Sequence, residues 1–243
     1  MSAARTTATA RRVLQQLRHD HRTVALILVV PCVLMGLLAW MLDDRDFNQY
    51  GPPLLGIFPL IVMFLTTSVA TLRERSSGTL ERLLSMPIGK GDFVFGYAAA
   101  FGLLAVVQAL IVSGLSMGVF GLDVMGPPWA IIVIAVVNAL LGTALGLFVS
   151  AFATTEFQAV QFMPAVILPQ LLLCGFIVPR DELPTALRWL SDLLPMSYAV
   201  DATTEVMTHS TTNADFWLNV AIVALFMAVG LALGAATLRR RTP

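Results

Sequence analysis

Six long apolar runs, each free of charged side chains, divide this 243-residue sequence. The runs cover residues 23–42, 53–72, 93–120, 129–152, 157–178 and 216–238. A helix of about 20 apolar residues crosses the ~30 Å hydrocarbon core of a bilayer. Strands of a membrane β-barrel are shorter, and their residues alternate in polarity. Helices and closed barrels are the only spanning structures in which every backbone polar group finds a hydrogen-bond partner in lipid. The sequence therefore predicts an all-α polytopic membrane protein with six transmembrane helices.

The composition excludes a soluble globular fold. Hydrophobic residues make up 57% of the chain and charged residues 12%, whereas a soluble domain has about 25% charged residues. The two cysteines, Cys32 and Cys174, lie inside apolar runs and predict neither a disulfide framework nor a metal site. We interpret His19-Asp20-His21 as a solvated turn beside the membrane rather than as metal ligands.

The distribution of charge predicts the orientation in the membrane. With the N-terminus in the cytoplasm, the inner segments hold twelve basic and five acidic residues, and the outer segments three basic and ten acidic ones. Basic residues accumulate on the cytoplasmic side, so we expect both termini there. All basic residues except Lys90 are arginines. This usage is typical of a GC-rich genome, and the expected location is a bacterial plasma membrane.

Three segments outside the apolar runs stand out. Residues 8–22 predict a short basic amphipathic helix that lies flat at the inner interface. Residues 73–92 form a charged cytoplasmic loop. Residues 179–215 form the longest outer segment, in which leucines recur at helical spacing and predict one or two short helices. The chain is therefore expected to form a single transmembrane domain with elements on both surfaces.

The loop 73–92 contains the most informative motif. It reads Arg73-Glu74-Arg75-Ser-Ser-Gly78-Thr79-Leu80-Glu81-Arg82-Leu83-Leu84-Ser-Met-Pro87. The pattern predicts a short amphipathic helix that begins near Gly78 and ends before Pro87, because proline cannot continue a helix. A simpler interpretation remains open, in which the loop is an anchor whose arginines only set the topology.

The motif resembles the cytoplasmic loop of ABC-2 type permeases, the membrane subunits of ATP-binding-cassette exporters. A second block, which runs from Leu173 through Gly175 and Pro179 to Pro195 and Tyr198, is similar to that family's outer segment. The closest likeness is to drug-resistance and antibiotic-export permeases. The resemblance implies that Gly78–Leu84 is a coupling helix that docks into an ATPase subunit. The implied coupling residues are Arg73, Glu74, Arg75, Gly78, Thr79, Leu80, Glu81, Arg82, Leu83, Leu84 and Pro87.

The sequence contains no nucleotide-binding loop of its own. A P-loop requires Gly-x-x-x-x-Gly-Lys-Ser/Thr, and Lys90 stands in Gly89-Lys90-Gly91 with no Ser or Thr beside it. We therefore expect a transport subunit that is not an enzyme and binds no cofactor. ATP and Mg²⁺ are expected on a partner ABC ATPase. The other expected partners are a second permease copy or a paralogue and membrane lipid, with no nucleic acid.

The second and fifth runs are the predicted substrate pathway, because they contain prolines and polar side chains. Proline can kink a helix, and a polar side chain in a membrane is costly enough to suggest a function. No charge lies in the middle of any run, which favours an amphipathic or lipid-like substrate. The predicted pathway residues are Phe58, Phe64, Thr67, Gln161, Gln170 and Phe176.

Other functions remain as alternatives. An ATP-independent secondary transporter usually contains intramembrane charges or inverted repeats, and neither is evident. Gly114-Leu-Ser116-Met-Gly118 matches a hydrolase nucleophile pattern but lacks a nearby base. A non-transporting scaffold would need no ATPase. Three Gly-x-x-x-Gly pairs, at 114–118, 142–146 and 230–234, predict close helix contacts within the chain or between chains.

Overall fold

The computed structural model describes residues 2–77 and 89–237. These residues form nine α-helices and one short 3-10 helix, and no strand occurs among them. The helices are α1 (Ala3–His19), α2 (His21–Met41), α3 (Asp44–Ser76), α4 (Lys90–Gly118), α5 (Pro128–Val149), α6 (Glu156–Leu173), the 3-10 helix Arg180–Glu182, α7 (Thr185–Asp192), α8 (Pro195–Thr208) and α9 (Ala214–Thr237). Six of them, α2 to α6 and α9, are long and apolar enough to cross a membrane. The predicted fold class is therefore confirmed.

Two of the spanning helices differ in length from the apolar runs. Helix α3 has 33 residues, or about 50 Å at 1.5 Å per residue, and begins well before the run that starts at residue 53. Asp43 starts it early, because its carboxylate accepts a hydrogen bond of 2.8 Å from the amide of Asp46. Helix α6 ends at Leu173, and Gly175 then adopts a φ of 89°, which bends the chain away from the helix axis.

Helices α3 and α5 form the centre of the bundle and share its most extensive contact. Helices α2, α6 and α9 are mostly exposed and lie around this pair. The prolines expected to kink the helices, at positions 31, 59, 164 and 169, lie inside α2, α3 and α6, which continue through them. The central pair therefore provides the support on which the outer helices pack.

Glycines allow α3 and α5 to touch through their backbones. A Cβ atom on Gly142 would lie 2.3 Å from the carbonyl oxygen of Leu60, and one on Gly146 would lie 2.5 Å from that of Phe64. We call this contact the glycine seam. The pair 230–234 also packs within the chain, against α5, whereas a Cβ atom added to Gly114 or Gly118 would meet no other part of the described chain within 4 Å. Two of the three glycine motifs thus form contacts within the chain.

Helix α1 docks on the beginning of α4. Its apolar side is buried there through Val13 and Leu17. Gly96 of α4 leaves room for the contact, since a Cβ atom there would lie 2.6 Å from the Cβ of Thr9. The apolar side of α1 therefore packs on α4, and the predicted position of α1 at the inner interface stays a prediction. We call this end of the bundle the α1 end.

The opposite end, which we call the α7 end, carries the short helices between α6 and α9. Arg180 connects them through ion pairs with Asp192 of α7 and Asp201 of α8. Its guanidinium carbon also lies 5.5 Å from the centre of the Tyr198 ring, a favourable cation–π contact. Burial raises the pKa of Asp201, and Arg180 opposes that shift. This network connects the predicted short helices of residues 179–215 to one another.

Candidate functional site

The last turn of α3 is bound to the first turn of α6. The guanidinium of Arg73 donates from Nε to Oε1 of Glu156 at 2.8 Å and from Nη2 to Oε2 at 2.9 Å. Thr155 positions this carboxylate, because its hydroxyl caps α6 by accepting from the amide of Gln158 at 3.2 Å. This two-pronged pair is the direct polar connection between the predicted second and fifth spans at the α1 end.

The next residue of α3 reaches a different helix. Glu74 accepts a hydrogen bond of 3.2 Å from Gln16 of α1, and its carboxylate lies 3.6 Å from the guanidinium of Arg12. Arg12 also donates to the hydroxyl oxygen of Tyr97 of α4 at 3.0 Å. Arg73 and Glu74 are adjacent in sequence, yet together they connect the end of α3 to α6, α1 and α4.

The remaining predicted coupling residues have little or no described environment. Arg75 is half-buried, and its Nε has no hydrogen-bond partner in the ranges 2–77 and 89–237. The predicted coupling helix Gly78–Leu84 and Pro87 lie outside the described residues. The described residues that follow α3 therefore end at Ser77, directly before the predicted coupling residues 78–87.

A cleft of about 850 Å³ opens at the α1 end between α1, α2, α3 and α6. Its floor is one side of α3, formed by Leu65, Thr66, Val69 and Ala70 at helical spacing. The other apolar lining residues come from α1, α2, α4 and α6, namely Val13, Leu17, Leu26, Phe101, Phe157 and Val160. The cleft thus has apolar walls and lies directly beside the connections of Arg73 and Glu74.

The mouth of the cleft is polar. Asp20, Arg73, Glu74 and Glu156 line it. Asp20 caps α2 by accepting from the hydroxyl of Thr23 at 2.6 Å and from its amide at 3.1 Å. These two hydrogen bonds lower the pKa of Asp20, the hydroxyl contributing most. Asp20 is therefore ionised at neutral pH, and the mouth combines charged groups with an apolar interior.

None of the six predicted pathway residues lines this cleft. Phe64 and Thr67 are fully buried and lie at the glycine seam, since their atoms are the neighbours of Gly146. Gln170 is buried and donates to the carbonyl of Val166 in its own helix at 3.0 Å. These three residues therefore pack inside this chain, and their role in a substrate pathway stays a prediction.

The other three pathway residues are scattered along the bundle. Gln161 is exposed on α6, and Phe58 is half-buried on α3. Phe176 follows α6, and its ring packs edge-on against that of Tyr50, with 6.0 Å between the centroids. Their role in transport stays a prediction, because the structure brings them neither together nor to the cleft.

The sequence did not predict that Thr66, Asp20 and Glu156 line one cleft, although two of them stand at recognisable helix starts. Glu156 is the one charged residue between the fourth and fifth apolar runs, so its position at the start of a helix could be predicted from the sequence. Asp20 stands three residues before Thr23, at the start of the first run, where an N-cap is expected. Thr66 gave no such signal, because it differs from Thr67 only in the direction in which it faces.

Comparison with known proteins agrees with this architecture. The family model for the ABC-2 type transporter matches residues 5–208, which extend from α1 to the end of α8. The chain belongs to the ABC-2 type transporter family. The match includes the cleft, its charged mouth and the Arg180 network. Members of this family are permease subunits, which are not themselves catalytic.

Two of the following three relatives are named as permeases, and all three are longer than this chain. The probable multidrug ABC transporter permease YbhR of Escherichia coli is 25% identical over 179 residues, which are 73% of this chain and 49% of YbhR. The linearmycin resistance permease protein LnrN of Bacillus subtilis is 24% identical over 213 residues, 87% of this chain and 55% of LnrN. Nodulation protein J of Rhizobium leguminosarum is 28% identical over 182 residues, 73% and 68% of the two chains. The ABC-2 chain thus spans about half the length of YbhR and LnrN.

Proposed function

We propose that this chain is the membrane-spanning subunit of an ABC exporter. In this proposal it moves an amphipathic or lipid-like substrate out of the cytoplasm or the inner leaflet of a bacterial plasma membrane. ATP hydrolysis with Mg²⁺ on a separate ATPase subunit drives the movement, and a second permease copy or a paralogue completes the pathway. Both termini are cytoplasmic, so the α1 end faces the ATPase.

The contacts of Arg73 and Glu74 at the end of α3, which lead to two different helices, are the observation that carries this proposal. Arg73 binds α6, and Glu74 binds α1. Both residues lie only a few positions before Gly78, where the proposed coupling helix begins. A displacement of that helix by an ATPase would therefore reach α3, α6 and α1 together. These are three of the five helices that line the cleft.

The strength of the Arg73–Glu156 pair suits a movable connection. Both side chains are about half exposed, at 57% and 51%, and such ion pairs contribute about 0–1 kcal/mol to stability. The pair can thus break and form again during a transport cycle without unfolding the bundle. Its two-pronged geometry still gives α3 and α6 a defined relative orientation while it is formed.

The cleft supports an amphipathic substrate. Its floor and walls are apolar, whereas its mouth carries Asp20, Arg73, Glu74 and Glu156. The volume of about 850 Å³ lies in the range of small-molecule sites, roughly 300–1,000 Å³. A molecule with an apolar body and a polar group fits this division better than a fully polar solute does.

Copurification and transport test the proposal directly. The chain, tagged and coexpressed with an ATPase encoded beside its own gene, is expected to purify with that ATPase. The reconstituted complex should hydrolyse ATP and move substrate only with ATP present. The control complex has the P-loop lysine of the ATPase replaced by alanine. Transport by the permease alone, or by this control complex, would contradict the proposal.

Charge exchange at the Arg73–Glu156 pair tests the connection itself. We expect Arg73→Glu to lower substrate-stimulated ATP hydrolysis by about fivefold or more, the effect of a coupling energy of ~1 kcal/mol. The double variant Arg73→Glu/Glu156→Arg should recover most of it, because the pair forms again with its charges reversed. ATPase activity of the purified complex is the measurement.

An ion pair at the other end provides the matched control. Arg188 lies 3.0 Å from Asp181 at the α7 end, and its side chain is as exposed as that of Glu156. Arg188→Glu should leave stimulated hydrolysis unchanged. Equal losses in Arg188→Glu and Arg73→Glu, or no recovery in the double variant, would show that the α3–α6 pair does not transmit the movement.

A further inference from the structure

The charged groups that line the cleft are unequal in sign. Three are carboxylates, from Asp20, Glu74 and Glu156, and one is a guanidinium, from Arg73. Arg73 compensates Glu156, and Arg12 lies 3.6 Å from Glu74. Asp20 forms no ion pair within the described parts of the chain, since its close partner is the neutral Thr23. Arg73 also acts on Asp20 at longer range, but the charged side chains that line the cleft still sum to a net negative charge.

This excess opposes the charge of the surface around it. The segments expected on the inner side hold twelve basic residues and only five acidic ones. Three of those five acidic residues line the cleft. A fourth, Asp92, caps the start of α4 by accepting from the amide of Gly89 at 3.0 Å. The acidic residues of a basic surface are thus concentrated at one opening, which favours cations there and disfavours anions.

An apolar path continues from the charged mouth along α3. Leu26 of α2 and Phe157 of α6 expose 58% and 71% of their surfaces at its sides. Val69 lies on the floor between them. A molecule that enters from the inner leaflet would therefore keep its apolar part against hydrocarbon side chains while its charged group remains at the mouth.

We propose that this cleft selects hydrophobic cations, with the positive group beside Asp20 and the apolar part on the α3 floor. The inference rests on the proposed function only in taking the cleft as the place where the substrate enters. Anionic lipid headgroups are disfavoured by the same carboxylates. The cleft thus admits a cationic amphiphile and excludes the anionic lipids that surround it.

Two ions of the same shape and opposite charge test the sign of this selection. Tetraphenylphosphonium is the cationic probe and tetraphenylborate the anionic one. Each is titrated into the full chain in phosphatidylcholine nanodiscs, with binding to empty nanodiscs subtracted. We expect saturable binding of the cation, at least about fivefold tighter than that of the anion. Equal affinities, or tighter binding of the anion, would overturn the proposal.

Two capping aspartates provide a matched pair of variants. Asp20→Asn removes the charge and keeps the cap, because asparagine caps helices as well as aspartate does. It should weaken tetraphenylphosphonium binding by about fivefold. Asp43→Asn makes the same change at the cap of α3, far from the cleft, and should change nothing. An unchanged affinity in Asp20→Asn, or an equal loss in both variants, would contradict the assignment.

A third variant identifies the location of the bound ion. Val69→Trp fills the floor of the cleft and should abolish saturable binding. Val107→Trp, on an exposed side of α4, is its control. These measurements need no ATPase, so failure of copurification would leave the charge selection intact. Conversely, ATP-driven transport without cation selectivity would overturn this inference and leave the proposed function in place.

Discussion

The two sides of α3 have opposite environments. One side meets α5 at the glycine seam, where Leu60 and Phe64 touch the backbone of α5 through Gly142 and Gly146. The other side forms the floor of the cleft, with Thr66 and neighbouring apolar residues open to solvent or lipid. A single helix thus combines a side with no free space and a side with about 850 Å³ of it. Under the proposed function, one side of α3 therefore stabilises the bundle and the other side contacts the substrate.

Gly142→Leu should have the largest effect on this comparison. Its side chain would meet the Leu60 carbonyl, where even a Cβ atom lies at 2.3 Å. Overpacking costs about 1–3 kcal/mol or more, and backbone atoms cannot move aside as side chains do. We expect little folded protein, measured as the monodisperse peak in detergent and its thermal midpoint.

Gly114→Leu is the matched control for this variant. It alters the Gly-x-x-x-Gly pair 114–118 on α4, where an added Cβ atom would meet no other part of the described structure within 4 Å. The thermal midpoint of this control should be unchanged. Similar losses in both variants would mean that the seam is no tighter than an exposed helix surface.

Gly96→Val should have a smaller, local effect at the end of the cleft. A Cβ atom there would lie 2.6 Å from the Cβ of Thr9 and 3.1 Å from the carbonyl oxygen of Thr6. We expect α1 to separate from α4 while the spanning helices remain folded, because overpacking of about 1–3 kcal/mol falls on one contact. Hydrogen exchange of the α1 amides should accelerate. Gly118→Val, with open space around it, serves as control, and unchanged exchange in Gly96→Val would contradict the docked arrangement.

Adjacent threonines give the most sensitive test of the two sides. Thr66→Phe should leave the thermal midpoint unchanged and weaken tetraphenylphosphonium binding, because Thr66 faces the cleft. Thr67→Phe should lower the midpoint, by the usual cost of overpacking, about 1–3 kcal/mol, because Thr67 is fully buried. Both variants are measured by the same melting and titration experiments. The reverse pattern would show that the sides of α3 are assigned the wrong way round.

Much of the fold was predictable because lipid imposes it. Long uncharged runs have no stable structure in a bilayer other than helices, and six such runs gave six spanning helices. The ends of helices depend instead on local hydrogen bonds. The carboxylate of Asp43 extends α3 through residues that hydropathy alone places in a loop. At Gly175, the positive φ turns the chain away from the axis of α6, so this helix ends inside an apolar run.

The sequence did not indicate which side of each helix is buried, and this explains why the predicted pathway residues do not line the cleft. In a soluble protein the polar side of a helix faces water, but lipid is as apolar as a protein core. The sequence therefore places Thr66 and Thr67 about 100° apart without indicating which of them is buried. The pairing of Arg73 with Glu156 was hidden for another reason, since 83 positions separate them.

The glycine seam divides α3 into two arms, one on each side of the point where Leu60 touches α5. Leu60, which touches Gly142, lies at the midpoint of the helix Asp44–Ser76. Each arm therefore extends about 24 Å, and a tilt of about 5° around this point would move the two ends by about 2 Å in opposite directions. A push on the arm that carries Arg73 and Glu74 is then accompanied by a swing of the arm beside Tyr50 and Phe176. Under the proposed function, the cleft end of α3 and its other end would therefore move in opposite directions, because both belong to one rigid helix.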